Sequence, residues 1–378
     1  MTTLQLLFLL AGMSKVGPET PPAQQATAAP GGSESFRTAP AAPRRPAPAA
    51  LQDSTAEKML VYQRAVGGWP KAVANVKVDY KLPLSAPARA RTLADKNRLD
   101  ATIDNNATTR EITFLVGAYQ RTNNAAYRQA AEAGIRYLLK MQYPNGGFPQ
   151  FYPDFSGYRH LITYNDNAMV RALQVLRSVA AQQAPFIGLD AALLPLAQAA
   201  EQRGIDCLVK TQYVRKGQPT AWCAQHDEKT LLPAKARAFE LASLSGDESV
   251  EIVRFLMGVE KPSVAVKTAI ECAVDWFQHV KISGYATRDI TAPQGKKVLD
   301  RVILPEPGAT IWARFYELGT DRPIYVGRDS KVHYQLLEIE VERRAGYLYA
   351  GVWPAKLLAK DYPAWQKRVN ATGGEAKK

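Results

Sequence analysis

Apolar residues recur with helical spacing over most of the chain after residue 51, and strand-like alternation is scarce. In "TTREITFLVGAYQRT", residues 108–122, Ile112, Leu115, Val116 and Tyr119 share one face, and Thr108 with Glu111 has the form of a capping box. "YRQAAEAGIRYLLKMQ" aligns Ala131, Ile135, Leu138 and Leu139 in the same way, and "NAMVRALQVLRSVA" aligns Met169, Leu173, Leu176 and Val179. "LPLAQAAEQRGIDCLVKTQ" and "VAVKTAIECAVDWFQHV" continue the series. The pattern predicts an all-α protein.

Three of these helical stretches run into related turns: "YQRAVGGWPK", "MQYPNGGFPQFYPD" and "VKTQYVRKGQPTAW". Glycine permits the left-handed conformation that ends a helix, and proline prevents its resumption, so Gly68, Gly147 and Gly217 are expected to close helices. Their spacing accommodates a helical hairpin plus rim loops. A helix pair repeated in this way predicts an α/α toroid, an incomplete (α/α) barrel of about three hairpins with long rim loops around a central cavity. Trp69, Phe148 and Trp222 at the turns pack against the rim or offer sugar-stacking faces.

The N-terminal part follows different rules. Leu4 to Gly12, "LQLLFLLAG", is too short to span a bilayer but has the length of a signal-peptide core, although no Lys or Arg precedes it. Residues 1–16 are therefore read as an export signal, the alternative being a truncated or mis-assigned start. Residues 17–50 are dominated by Pro, Ala, Gly, Ser, Thr and Gln with Phe36 as their one aromatic, the composition of a disordered linker. The folded domain is expected over 51–372, secreted or periplasmic, not in a membrane, and monomeric by default. Cys207, Cys223 and Cys272 lack zinc or C-x-x-C spacing, and one disulfide stays open.

Charge narrows the partners. The 48 Lys and Arg against 35 Asp and Glu give a net charge of +13, which favours an anionic polymer. The candidates are nucleic acid, an anionic lipid surface and an acidic polysaccharide; the excess is dispersed without a run of five basic residues, which weakens a nucleic-acid tail or a polybasic membrane anchor.

Two acidic motifs precede amphipathic helices: "TIDNNATTRE" with Asp104 and "TYNDNAMVRA" with Asp166. Each alone reads as helix capping. Together, on successive rim loops, they would face one opening and offer the carboxylate and amide oxygens that suit Ca²⁺, with substrate carboxylates completing a sparse ligand set. A second set is basic: Lys235 and Arg237 in "LLPAKARAFELASLSG", and Arg314 and Arg328 in "TIWARFYELGTDRPIYVGRDSKVHY". Guanidinium forks match carboxylates, and Arg314, flanked by apolar residues, needs a partner. His226 in "WCAQHD" is either structural or a ligand contact. No Walker loop, G-x-S-x-G elbow or dinucleotide fingerprint is present.

The segments "GGWPK", "DNNATT", "LLKMQYPNGGFPQFYP", "ITYNDNAMV", "WCAQHDEKTLLPAKARAFELASLSG" and "IWARFYELGTDRPIYVGRDSKVHYQLLEIEVERRAGYLYAG" resemble, in order and over roughly 55–355, polysaccharide lyase family 10, the pectate lyases. The resemblance implies an α/α toroid and Ca²⁺-dependent β-elimination of polygalacturonate. It implies Asp166 and Asp104 as the calcium ligands, Arg237 as the base, and Arg314, Arg328, Asn105 and Lys235 as substrate-binding residues. The alternatives are a lyase on another uronate polymer such as alginate, with Tyr164 as base, an inverting glycoside hydrolase using Asp104 and Asp166, and a non-catalytic polyanion binder.

Overall fold

The computed structural model describes residues 51–291 and 299–374; the export-signal and linker readings lie outside them. The helices are α1 (Ser54–Tyr62), α2 (Ala86–Ala94), α3 (Thr109–Thr122), α4 (Ala125–Met141), α5 (Ala168–Ala180), α6 (Leu193–Thr211), α7 (Glu248–Met257) and α8 (Val264–His279), with further helices towards the C-terminus, the longest Tyr362–Gly374. They pack as three hairpins, α3 on α4, α5 on α6 and α7 on α8. The α3–α4 link is two asparagines: Asn123 takes a left-handed conformation that stops α3, and Asn124 caps α4 by accepting from Ala126 N.

The hairpins stack in two rows. Helices α3, α5 and α7 touch in sequence, as do α1, α4, α6 and α8. The expected apolar stripes form the core between the rows, with Ile112, Leu115, Val116, Ile135, Leu138, Met169, Leu173 and Leu176 all fully buried. This is the helical toroid predicted from the periodicity, left open rather than closed into a barrel.

The turns work differently from the expectation. Helices α1, α4 and α6 do not stop at glycine; each is followed by a glutamine in extended conformation, Gln63, Gln142 and Gln212. Each side-chain amide then donates twice. Gln63 binds the Gly67 and Ala130 carbonyls, at 2.8 and 2.9 Å. Gln142 binds those of Gly146 and Ala200, at 3.0 and 2.8 Å. Gln212 binds those of Thr220 and Ala269, both at 2.9 Å. One bond closes the turn and the other clasps the next helix of the same row, α4, α6 or α8.

Glycine has a separate role after each clasp. Gly67 and Gly146 have positive φ and press on the backbone of the next helix; a Cβ there would meet the Ala133 or Arg203 carbonyl oxygen at 2.5 or 1.9 Å. Gly217 instead turns a small open hairpin between Val214–Arg215 and Gln218–Pro219, with nothing near it.

The Thr108–Glu111 capping box is also absent. Thr108 has φ 67° and turns its hydroxyl away, accepting from Trp69 N and donating to the Thr102 carbonyl. Glu111 is wholly buried against Tyr80 and Arg110.

One sizeable strand element escaped the helical pattern. Ile282–Ile290 pairs antiparallel with Asp300–Ala313 as a long ribbon. Immediately after it, Phe315–Tyr316 lies between Leu244–Ser245 and Pro323–Val326 in a small sheet. That sheet carries the residue between them, Arg314, to the mouth of α7.

Candidate active site

The three aromatic turn residues are buried and set the rim rather than offering stacking faces. Trp69 and Trp222 are wholly enclosed, their indole N–H groups bonded to the Met59 and Leu208 carbonyls at 2.7 Å. Their backbone carbonyls, with that of Phe148, each accept from one residue of a rim loop: Thr102 N at 3.0 Å, Thr163 N at 3.0 Å and Ser245 N at 2.7 Å. Two residues beyond those three positions stand Asp104, Asn165 and Asp247.

The first two loops are alike. Asn105 and Asn106 have positive φ, as do Asp166 and Asn167, so the acid and an amide have exchanged places between "DNN" and "NDN". Asp104 is therefore equivalent to Asn165, and Asp166 to Asn105. Left-handed backbone favours Asn and Asp, which explains why these residue types fill the turns. The third loop is shorter. Ser245 Oγ accepts from Asp247 N at 3.2 Å, as Thr102 Oγ1 does from Asp104 N at 3.0 Å, and Glu248 follows at once.

The loops enclose a cavity of ≈ 300 Å³ lined by Asn105, Asp166, Arg171, Asp247, Glu248 and Arg314 among others. Burial raises the pKa of Asp166, and the charges of Glu248 and Asp104 raise it further, against Arg314 and Arg237. Burial and then Glu248 push Asp247 up to about 7. Asp104 is buried, with one oxygen on the Lys71 ammonium and Oδ1 without a hydrogen-bond partner.

The basic set divides. Arg314 is 8% exposed and is held by Asp247 at 2.9 Å and by Glu248, so the partner its apolar setting demanded is supplied by the protein itself. Burial works against its charge, and Glu248 leads the attractions that raise its pKa nevertheless. Arg237 does not line the cavity: it pairs with Glu240 and lies over the Phe239 ring at 4.9 Å. Arg328 is outside the cavity: it pairs with Glu342 at 2.8 Å and lies 5.8 Å from the same Phe239 ring. Lys235 is exposed and does not line the cavity.

Two further readings change. His226 is wholly buried between the Leu231 carbonyl and Cys223 N, a structural histidine. Tyr164 is wholly buried on Thr211 and does not line the cavity, so its hydroxyl is out of reach of a substrate and cannot serve as the base. All three cysteines are free.

Sequence reasoning missed Asp247, Glu248, Lys71 and Arg171. The signal for the third loop was present: a hydroxyl residue two before Asp or Asn, ahead of an amphipathic helix, occurs at Thr102, Thr163 and Ser245.

A helical toroid that gathers carboxylates and arginines on one rim offers the groups that bind a charged ligand. The family model for pectic acid lyase matches residues 63–358. A solved family 10 polysaccharide lyase from Cellvibrio cellulosa is 34% identical, with a TM-score of 0.71, covering 81% of this chain and 90% of that one. A mutant of a family 10 polysaccharide lyase from Cellvibrio cellulosa, in complex with trigalaturonic acid, is 33% identical with the same coverage and TM-score. No curated protein matches. The chain belongs to the pectic acid lyase family, polysaccharide lyase family 10, and is a pectate lyase.

Proposed function

We propose that this pectate lyase is an exported, monomeric enzyme that cleaves α-1,4-linked polygalacturonate by Ca²⁺-dependent β-elimination, leaving 4,5-unsaturated oligogalacturonates. The observation that carries the reading is the convergence of Asp166, Asp247, Glu248 and Arg314 on one cavity, with Asp104 in the matching loop packed against that of Asp166.

The donor set fits a hard cation. Asp104 Oδ1, Asn106 Oδ1 and Asn167 Oδ1 are buried oxygens without donors, all in the two matching loops. Among the described residues no three carboxylate, imidazole or thiol groups form a closed metal site, so Asp104, Asp166 and neighbouring amide oxygens would share the ion with water and substrate carboxylates. Ca²⁺ bound there supplies positive charge to the uronate carboxylate as its α-proton leaves.

The chain's own residues supply the rest. Arg314, at the cavity wall, presents its charge to a uronate carboxylate in competition with Asp247 and Glu248. Arg237 in its neutral form accepts the C5 proton, the C5–H electrons pass through an enolate at C6 into the C4=C5 bond as the C4–O bond breaks, and the departing glycosidic oxygen takes a proton from water. Glu240 holds Arg237 protonated by hydrogen bonding and attraction, and pushes its pKa above the ordinary guanidinium value against the effect of burial. Proton acceptance by Arg237 is therefore favoured by alkaline conditions.

The test is ultraviolet absorbance during incubation with polygalacturonate, with and without EDTA. A rise abolished by EDTA and restored by calcium supports the proposal. Reducing ends without that absorbance indicate hydrolysis, and absorbance indifferent to EDTA removes calcium from the reaction.

A further inference from the structure

Resting on the reading of Arg237 as the proton acceptor, we propose that Glu240 is a positioning residue that fixes the Arg237 guanidinium for the uronate. Glu240 stands three residues after Arg237, and the turn between them is closed twice: Glu240 N donates to the Arg237 carbonyl at 2.9 Å, and Ala236 N to the Glu240 carbonyl at 3.0 Å. Its carboxylate takes Arg237 Nε at 2.7 Å and also Nη2, with a longer bond from Arg237 N at 3.4 Å. Among the described residues, every side-chain hydrogen bond of Glu240 runs to Arg237.

The two partners differ in solvent access. The Glu240 side chain is 3% exposed and that of Arg237 42%. A carboxylate so deeply buried is costly unless paired, which ties its burial to that one guanidinium. Phe239, between them in sequence, lies beneath Arg237, and Arg343 stacks on the same ring at 3.8 Å. The edge bearing Nε and Nη2 is thus held by Glu240 and a face by Phe239. Nη1 is the guanidinium nitrogen left without a hydrogen bond to the described residues.

An exposed arginine samples many rotamers, and a reacting group that must meet C5–H in one orientation loses rate to that freedom. The Glu240 fork removes it. The other ionisable groups that act on Arg237 are Tyr347 and Tyr158, and Arg237 in turn acts on Asp166. Glu240 is the one of these in direct contact with the guanidinium.

The experiment compares wild type, Glu240→Gln, Arg237→Ala and the double variant on polygalacturonate, with a pH profile of kcat/KM and a thermal midpoint for each. Glutamine keeps the shape of the buried side chain and loses its charge. The expected result is a kcat about 10- to 100-fold lower in Glu240→Gln with KM changed less than about twofold, and an alkaline limb moved to lower pH. The double variant should be no slower than Arg237→Ala alone. An unmoved limb, or losses that multiply in the double variant, would show Glu240 to be a brace of the turn and overturn the inference. Full activity in Arg237→Ala would instead sink the reading of Arg237, a separately visible failure.

Discussion

Asp104 gives one carboxylate oxygen to Lys71 and keeps the other buried and without a donor, in a loop packed against the one that carries Asp166. The pair sets cation against cation: an ion bound at Asp104 competes with the lysine ammonium for the same carboxylate. Replacing Asp104 by Ala is expected to lower kcat/KM on polygalacturonate by about 100-fold or more. Lys71→Met leaves the buried Asp104 carboxylate without its ammonium and should cost on the order of 1–3 kcal/mol of unfolding free energy without calcium, while calorimetry shows tighter calcium binding. Unchanged calcium affinity in that variant would separate Lys71 from the ion site.

The alkaline dependence has a definite sign. Glu240 raises the pKa of Arg237, so the neutral guanidine grows only as pH climbs. Initial rates should rise from neutral towards alkaline pH, and full activity at about pH 5 would contradict an arginine base.

His226 provides a stability test with the opposite direction. Burial lowers its pKa from 6.5 to about 4, so the folded state favours the neutral ring. A group depressed in this way adds stability above its unfolded pKa and loses it as pH falls through its folded value. Urea unfolding should show a loss on the order of 3 kcal/mol between about pH 6.5 and pH 4 from this residue, and His226→Asn should flatten the slope there.

The glutamine clasps make a packing prediction. Gln212 is 6% exposed and serves two carbonyls, so Gln212→Leu leaves both short of a donor. Denaturant titration should register a loss of about 2 kcal/mol, with a comparable effect for Gln142→Leu. A change below about 0.5 kcal/mol would mean that the clasp adds nothing to the stack.

The helical stripes were legible because burial selects apolar residues at the spacing of a helix face, as Ile112, Leu115 and Val116 show. The turns were legible as a repeat but not in mechanism. Glycine and proline draw attention as breakers, whereas a glutamine such as Gln142 reveals its role only once the Ala200 carbonyl is beside it. Asp104 and Asp166 were found because left-handed turns concentrate Asn and Asp in sequence. Asp247 and Glu248 escaped because their loop is shorter and its geometry rests on a strand pairing, Ser245 with Phe315, between residues 70 apart. No local pattern records such a contact. The same distance hid the partners of Arg314.

The clasps also give the stack a direction. Each turn is finished only by the helix that comes later in the chain, so during synthesis every repeat waits on its successor. Gln278 continues the series, following "DWF" as Gln142 follows "LKM", yet it is exposed within α8, where its Oε1 accepts from Lys281 Nζ at 3.4 Å. The chain then turns into the ribbon of Ile282–Ile290. The stack thus ends where the glutamine stays inside its helix instead of clasping a neighbour, and the strands that lead to Arg314 begin there.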